Sequence, residues 1–169
     1  QVNNYEDFVS KYDSNSLTGA GQFLAKQPGV TGNSLKVYIV DHGNYDLFDA
    51  KTGDNYNNPD LQDYTGKRYT SWIPARPGTS QYVSDRATAT PTTKYDEVSV
   101  IVVDTTGSIS GHANTVIESF NYLSKAGDAV DYKQASLYIG DVLNTQSQYV
   151  YFVNIPTSNI DTADESAIF

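Results

Sequence analysis

The stretch YDEVSVIVVDTTGSISGHANTVIESFNYLSKAGDAVDYKQASLYIGDVLNTQSQYVY, residues 95–151, decides the fold. Val98, Val100, Ile101, Val102 and Val103 form a nearly continuous apolar run with acidic residues on either side. A strand with one wet face would alternate, so an unbroken run predicts a central strand covered on both faces. Asp104 to Gly107 reads as a turn, and Ile109 begins a short return segment. Thr115 and Glu118 match a capping box, and Val116, Ile117, Phe120 and Leu123 recur at helical spacing behind it. That spacing predicts a helix over residues 115–124, ended at Gly127, with its Val116, Phe120 and Leu123 face on the sheet. Residues 138–143 predict another short helix, and 149–153 (YVYFV) a strand beside the central one.

Working outward, residues 35–40 (LKVYIV) predict the strand on the other side of 98–103, with Asp41 and His42 at its exit. Before it, Pro28-Gly29 and Gly32-Asn33 are turn pairs. Residues 3–12 carry Tyr5, Phe8, Val9 and Tyr12 on one helical stripe with Asn4 placed to cap it. Residues 17–26 predict a further helical turn anchored by Phe23 and Leu24. Thr162 and Glu165 repeat the capping-box spacing near the end. Residues 43–94 are the least regular part and hold four of the six prolines, Pro59, Pro74, Pro77 and Pro91. They read as an irregular inserted region with one or two short strands around residues 69–73. The fold class expected is α+β: a β-rich mixed sheet or sandwich flanked by a few short helices, over residues 1–169 as a single domain.

Composition narrows the function. A net charge of −9 and a pI near 4.4 repel phosphates and anionic membranes. Direct nucleic-acid binding and membrane insertion are therefore not expected, and no apolar run reaches the roughly 18 residues of a bilayer span. With no cysteine there is no disulfide or thiol chemistry. The absence of methionine suggests a piece of a longer protein.

Candidate chemistry is sparse. His42 and His112 are the only histidines, each in a glycine-containing turn, and both are expected to face solvent. Ser34 and Ser110 lie nearby in sequence, but no GxSxG elbow accompanies them. Asp49, Asp54, Asn55, Asn57, Asp60 and Asp63 gather oxygens, yet the calcium-loop order with a distal Glu is missing, so a solvated loop is the plainer reading. Two separated histidines without cysteine do not make a zinc set, and no phosphate-binding glycine loop follows a strand. No cofactor is expected. Lys67, Arg68, Arg76 and Arg86 interleave with Tyr69 and Trp72. In an acidic chain, this basic-aromatic segment suits an acidic patch on a neighbouring copy better than nucleic acid. Arg68, Tyr69, Trp72 and Arg76 are the interface candidates.

Two blocks carry a family resemblance: PGVTGNSLKVYIVD, residues 28–41, and the opening stretch preceded by Pro77-Gly78-Thr79-Ser80. Their combination, DEVSVIVVD, TTGSISG, TVIESF, LSKAGDA and YVYF in that order, resembles the contractile tail sheath proteins of myophages and covers about half the chain. The resemblance implies a structural subunit, not an enzyme. It would be assembled in the bacterial cytoplasm into the virion tail, would pack against other copies, and would meet tube and baseplate proteins through the rest of the subunit. It implies a middle or outer domain of a longer sheath protein, with contraction stored in alternative contacts between copies. Contractile injection systems share that principle. The rival expectation is a virion-surface or secreted β-domain that binds carbohydrate near Trp72, with a hydrolase third.

Overall fold

The computed structural model describes residues 23–27, 29–49, 58–86 and 94–153. The expected helix over 3–12 and the capping-box match at Thr162 and Glu165 lie outside the described residues. In chain order the elements are β1 (Phe23–Ala25), α1 (Val30–Asn33), β2 (Leu35–Asp41), α2 (Tyr45–Phe48), 3-10 turns at Pro59–Leu61 and Tyr69–Trp72, α3 (Gln81–Arg86), β3 (Glu97–Asp104), β4 (Thr115–Ser124), α4 (Ile139–Gln146) and β5 (Val150–Phe152). They form a small α+β fold with two antiparallel sheets, one ordered β2-β3-β4 and one pairing β1 with β5.

β3 is the central strand, as its apolar run predicts. Val98, Val100 and Val102 point to one face, where they pack with Leu123, Ile139, Leu143, Val150 and Phe152. Ile101 and Val103 point to the other, where Val40, Phe48, Tyr69 and Ile73 close a second core. Each of these valines and Ile101 is almost wholly withdrawn from water, and each contributes about 1.5–3 kcal/mol of transfer free energy. The first core lies under α4 and the β1–β5 pair. The second lies under α2 and the Tyr69–Trp72 turn.

The expected helix over 115–124 is instead strand β4, antiparallel to β3 from Glu97↔Ser124 to Asp104↔Thr115. The helical spacing comes from two bulges. Between the pairs Val98↔Leu123 and Val100↔Phe120, β4 has one residue more than β3, and the same happens between Val102↔Glu118 and Val103↔Val116. Each extra residue reverses the strand's face, so Ile117, Phe120 and Leu123 all reach the first core at spacings of three. Phe120 thus packs where the helix would have put it, by a different route.

The capping box is likewise absent. Glu118 reaches across the first core and accepts from the Ser147 hydroxyl (2.6 Å) and the Gln148 amide (2.7 Å). This ties the α4–β5 connection to β4. Lys26, just after β1, donates to the carbonyls of Asn144 (3.2 Å) and Ser147 (2.5 Å). A cation there complements the carbonyl end of α4. Burial lowers the Lys26 pKa, with the Glu118 charge opposing.

Three further expectations change. Residues 149–153 do give a strand, β5, but it pairs with β1 rather than β3. Three residues of the expected 17–26 helical turn are β1 itself. The strand expected at 69–73 is a 3-10 turn whose two inner residues, Tyr69 and Thr70, are buried. The expected helix at 138–143 is present as α4, running slightly further.

Candidate functional site

The β3–β4 loop is organised by one carboxylate. Asp104 is completely buried and accepts five hydrogen bonds, from the amides of Thr106, Gly107, Ile109 and Ser110 and from the Ser110 hydroxyl, at 2.8–3.3 Å. Desolvation works against its charge, but these donors outweigh it and hold the pKa at about 2, from an ordinary 3.8. Gly107 takes φ +80° in the same turn, and a Cβ there would stand 2.8 Å from the His112 carbonyl carbon. Ser34 and Ser108 join their hydroxyls at 2.9 Å beside it. The Asp104–Gly107 turn is therefore a hydrogen-bonded knot, and its serines serve the loop.

The four interface candidates separate. Tyr69 is 1 % exposed, and its ring lies 5.2 Å from that of Tyr38. Burial pushes its phenol well above the ordinary range. It is a core residue and offers no surface to a neighbour. Arg68 is half-buried and donates to the Phe48 carbonyl at 2.7 Å, which fastens its turn to α2. Trp72 is 39 % exposed. Its carbonyl accepts from Ser119 and Asn121 of β4, each at 3.1 Å. The Lys67 ammonium sits 4.7 Å from the Trp72 ring centroid. Arg76 is exposed, pairs with Asp46 at 2.8 Å and donates to the His42 carbonyl. Trp72 and Arg76 are the two that keep substantial surface.

The histidines have aromatic neighbours. His42 stacks on Tyr95 with centroids 3.4 Å apart and rings nearly parallel, and its Nδ1 lies 3.0 Å from the Pro77 carbonyl. It is half-buried rather than solvent-facing. His112 is exposed and stacks on Tyr64 at 4.8 Å. Of the oxygen-rich loop, Asp54, Asn55 and Asn57 lie outside the described residues. Asp63 uses one oxygen to accept from Lys67 and Thr65, closing a turn. Burial opposes its charge, but these donors lower its pKa overall. Among the described residues, no group of three or more His, Cys, Asp or Glu side chains could hold a metal ion. Among them too, no helix is long and apolar enough to cross a membrane.

Sequence reasoning missed a groove of about 520 Å³ between α3, the first residue of β3, the outer bulge of β4 and the hairpin that follows it. Tyr82, Tyr122 and Tyr132 line it together with Glu97, Asp131 and Gln134. The hairpin closes through the bridge Val130↔Ser136. One Asp131 oxygen accepts the amides of Lys133 and Ala135 at 2.8 and 2.9 Å. Gln134 at its tip takes φ +65°, and Tyr122 in the bulge takes φ +59°. The signal available in the sequence was the polar turn around Asp131. Tyr122 could not be aimed until its segment was known to be a strand.

Comparison with known proteins gives no match to any protein family, curated protein or solved structure.

Proposed function

We propose that this chain is a structural domain of a contractile tail sheath subunit, the sleeve that surrounds a tail tube and contracts to drive it through a host envelope. The observation that supports the reading best is the meeting of the two resembling blocks. Residues 28–41 supply β2, residues 95–151 supply β3 and β4, and the three strands make one sheet. β2 pairs with β3 along its whole length, from Leu35↔Asp104 to Asp41↔Val98. The resemblance therefore falls on the structural heart of the domain rather than on scattered turns.

On this reading the chain performs no chemical step. Its work is mechanical: copies exchange one set of contacts for another, and the free-energy difference between the two sets drives contraction. A domain rigidified by two cores and a knotted loop suits rigid-body repacking of that kind. Trp72 and Arg76 are the candidates for contact with a neighbouring copy, and tube and baseplate proteins would be met through the rest of the subunit. The site of action is the virion tail, after assembly in the bacterial cytoplasm. Expression of the open reading frame that carries this chain, followed by negative-stain electron microscopy, tests the reading. Striated tubes are expected, and Arg76→Glu should reduce their yield if the Arg76 surface is a contact. Monodisperse particles across a range of salt would contradict it.

A further inference from the structure

We propose that the groove between α3, the β4 bulge and the 130–136 hairpin binds a short neutral oligosaccharide. Its volume, about 520 Å³, falls within the range of small-ligand clefts. Its lining combines the two kinds of group that sugars need. Tyr132 is 86 % exposed and Tyr122 is 50 % exposed, so both offer aromatic surface to solvent. The negative face of an aromatic ring attracts the polarised C–H groups of a sugar ring. Beside them stand acceptors for hydroxyl groups. One oxygen of Glu97 accepts the Gly78 amide at 2.9 Å, and one oxygen of Asp131 holds the hairpin amides. Each carboxylate is thereby oriented while its second oxygen stays available. The Gln134 side chain adds an amide with both donor and acceptor.

The backbone supplies an independent pointer. Asn114, Tyr122 and Gln134 are the three described non-glycine residues with positive φ, and two of them line this one groove. Left-handed backbone costs a β-substituted residue about 1–2 kcal/mol, and such positions gather at binding sites. The β4 bulge turns Tyr122 outward, the re-aiming role bulges often have beside functional sites. Tyr82 is held in place by its hydroxyl bond to Asp128 at 2.9 Å and by Arg86 stacked 3.5 Å from its ring centroid.

Charge disfavours acidic ligands. Asp85, Glu97 and Asp131 outnumber Arg86 in the lining, on a chain of net charge −9. Nucleic acids, phosphates and sulfated glycans are repelled from such a cleft, whereas neutral hydroxyls pair readily with carboxylate oxygens. The inference does not rest on the sheath reading, because tube formation and sugar binding are separate measurements.

The test is an amide NMR titration of the folded chain with cellotriose, maltotriose and chitotriose, with a heparin oligosaccharide as the acidic control. The expected result is saturable shifts at Tyr132, Gln134 and Tyr122 with at least one neutral probe. Tyr132→Ala should weaken that binding about tenfold, and Tyr122→Gly, which keeps the positive φ, should weaken it as well. Trp72→Ala should leave it unchanged. Tyr132 is so exposed that its truncation leaves both cores intact, so a folded variant is available whatever the outcome. No shift with any neutral probe, preference for heparin, or binding lost in Trp72→Ala but kept in Tyr132→Ala would each overturn the proposal. So would self-association of the chain that disappears in Tyr132→Ala without any sugar response, which would assign the groove to a second copy.

Discussion

Replacing Asp104 by asparagine tests the β3–β4 knot most sharply. Four amides and one hydroxyl converge on the two Asp104 oxygens. Asparagine keeps one acceptor and turns the other into a donor, so either the Thr106 and Gly107 amides or the Ile109 and Ser110 groups face an NH2. The drop in pKa from 3.8 to about 2 corresponds to about 2 kcal/mol of preference for the charged form. Asp104 itself is buried, but Thr106 and Ser108 of its loop are exposed, and water at that end screens part of the charge, leaving about 1–2 kcal/mol. Misdirected donors add about 1 kcal/mol more. Asp104→Asn should therefore cost about 2–3 kcal/mol at neutral pH, or about 4–12 °C in melting temperature for a chain of this size. The sign with pH follows from the depressed pKa. The Asp104 contribution is complete above pH 3.8 and is lost as pH falls through about 2. Urea unfolding followed by circular dichroism, at neutral pH and at steps down to about pH 2.5, should show the gap between native and variant narrowing below about pH 4. A deficit under about 0.5 kcal/mol, or one that stays constant across the acid range, would refute the reasoning.

Tyr69→Ala should cost about 3–5 kcal/mol, as for truncation of a buried aromatic. Trp72→Ala should cost about 1 kcal/mol or less, chiefly the Lys67 contact. Thermal unfolding of the pair separates core from surface, and equal losses would contradict the burial described. In a spectrophotometric alkaline titration, burial should make the Tyr69 phenol ionise late, and Tyr69→Phe should remove one late-titrating phenol from the curve. Gly107→Ala should destabilise by about 1–2 kcal/mol, through its positive φ and the approach of the new Cβ to His112, and unchanged urea midpoints would contradict it. Glu118→Ala should remove both bonds to the α4–β5 connection, cost about 2–3 kcal/mol and raise hydrogen exchange in α4 before β3. Uniform exchange through both elements would refute that placement.

β3 was legible because its apolar run needs cover on both faces, a demand few other structures meet. β2 was legible from its β-branched and aromatic content, and α4 from its position before a clear strand. β4 was misread for a definite physical reason. Its bulges bring Ile117, Phe120 and Leu123 to one face at a spacing of three, close to a helical stripe, and Thr115 and Glu118 imitate a helix start by coincidence. The β-branched and aromatic residues Thr115, Val116, Ile117, Phe120 and Tyr122 favour a strand, and that propensity, with pairing to β3, overrides the imitated helical period. The pairing of β5 with β1 could not be read, because three-residue strands carry too little pattern to choose a partner. At the candidate interface, a basic-aromatic cluster in sequence proved divided in space: Tyr69 supports the core, Arg68 fastens a turn, and Trp72 and Arg76 reach the surface. The groove depends on a bulge and a hairpin tip with positive φ, features of backbone geometry that side-chain identity does not announce.

The proposed sheath role is tested most directly by electron microscopy of the protein encoded by the open reading frame that carries the chain. Long, striated, hollow tubes of self-assembled subunits are expected. Only discrete, monodisperse particles under every salt condition tried would contradict it.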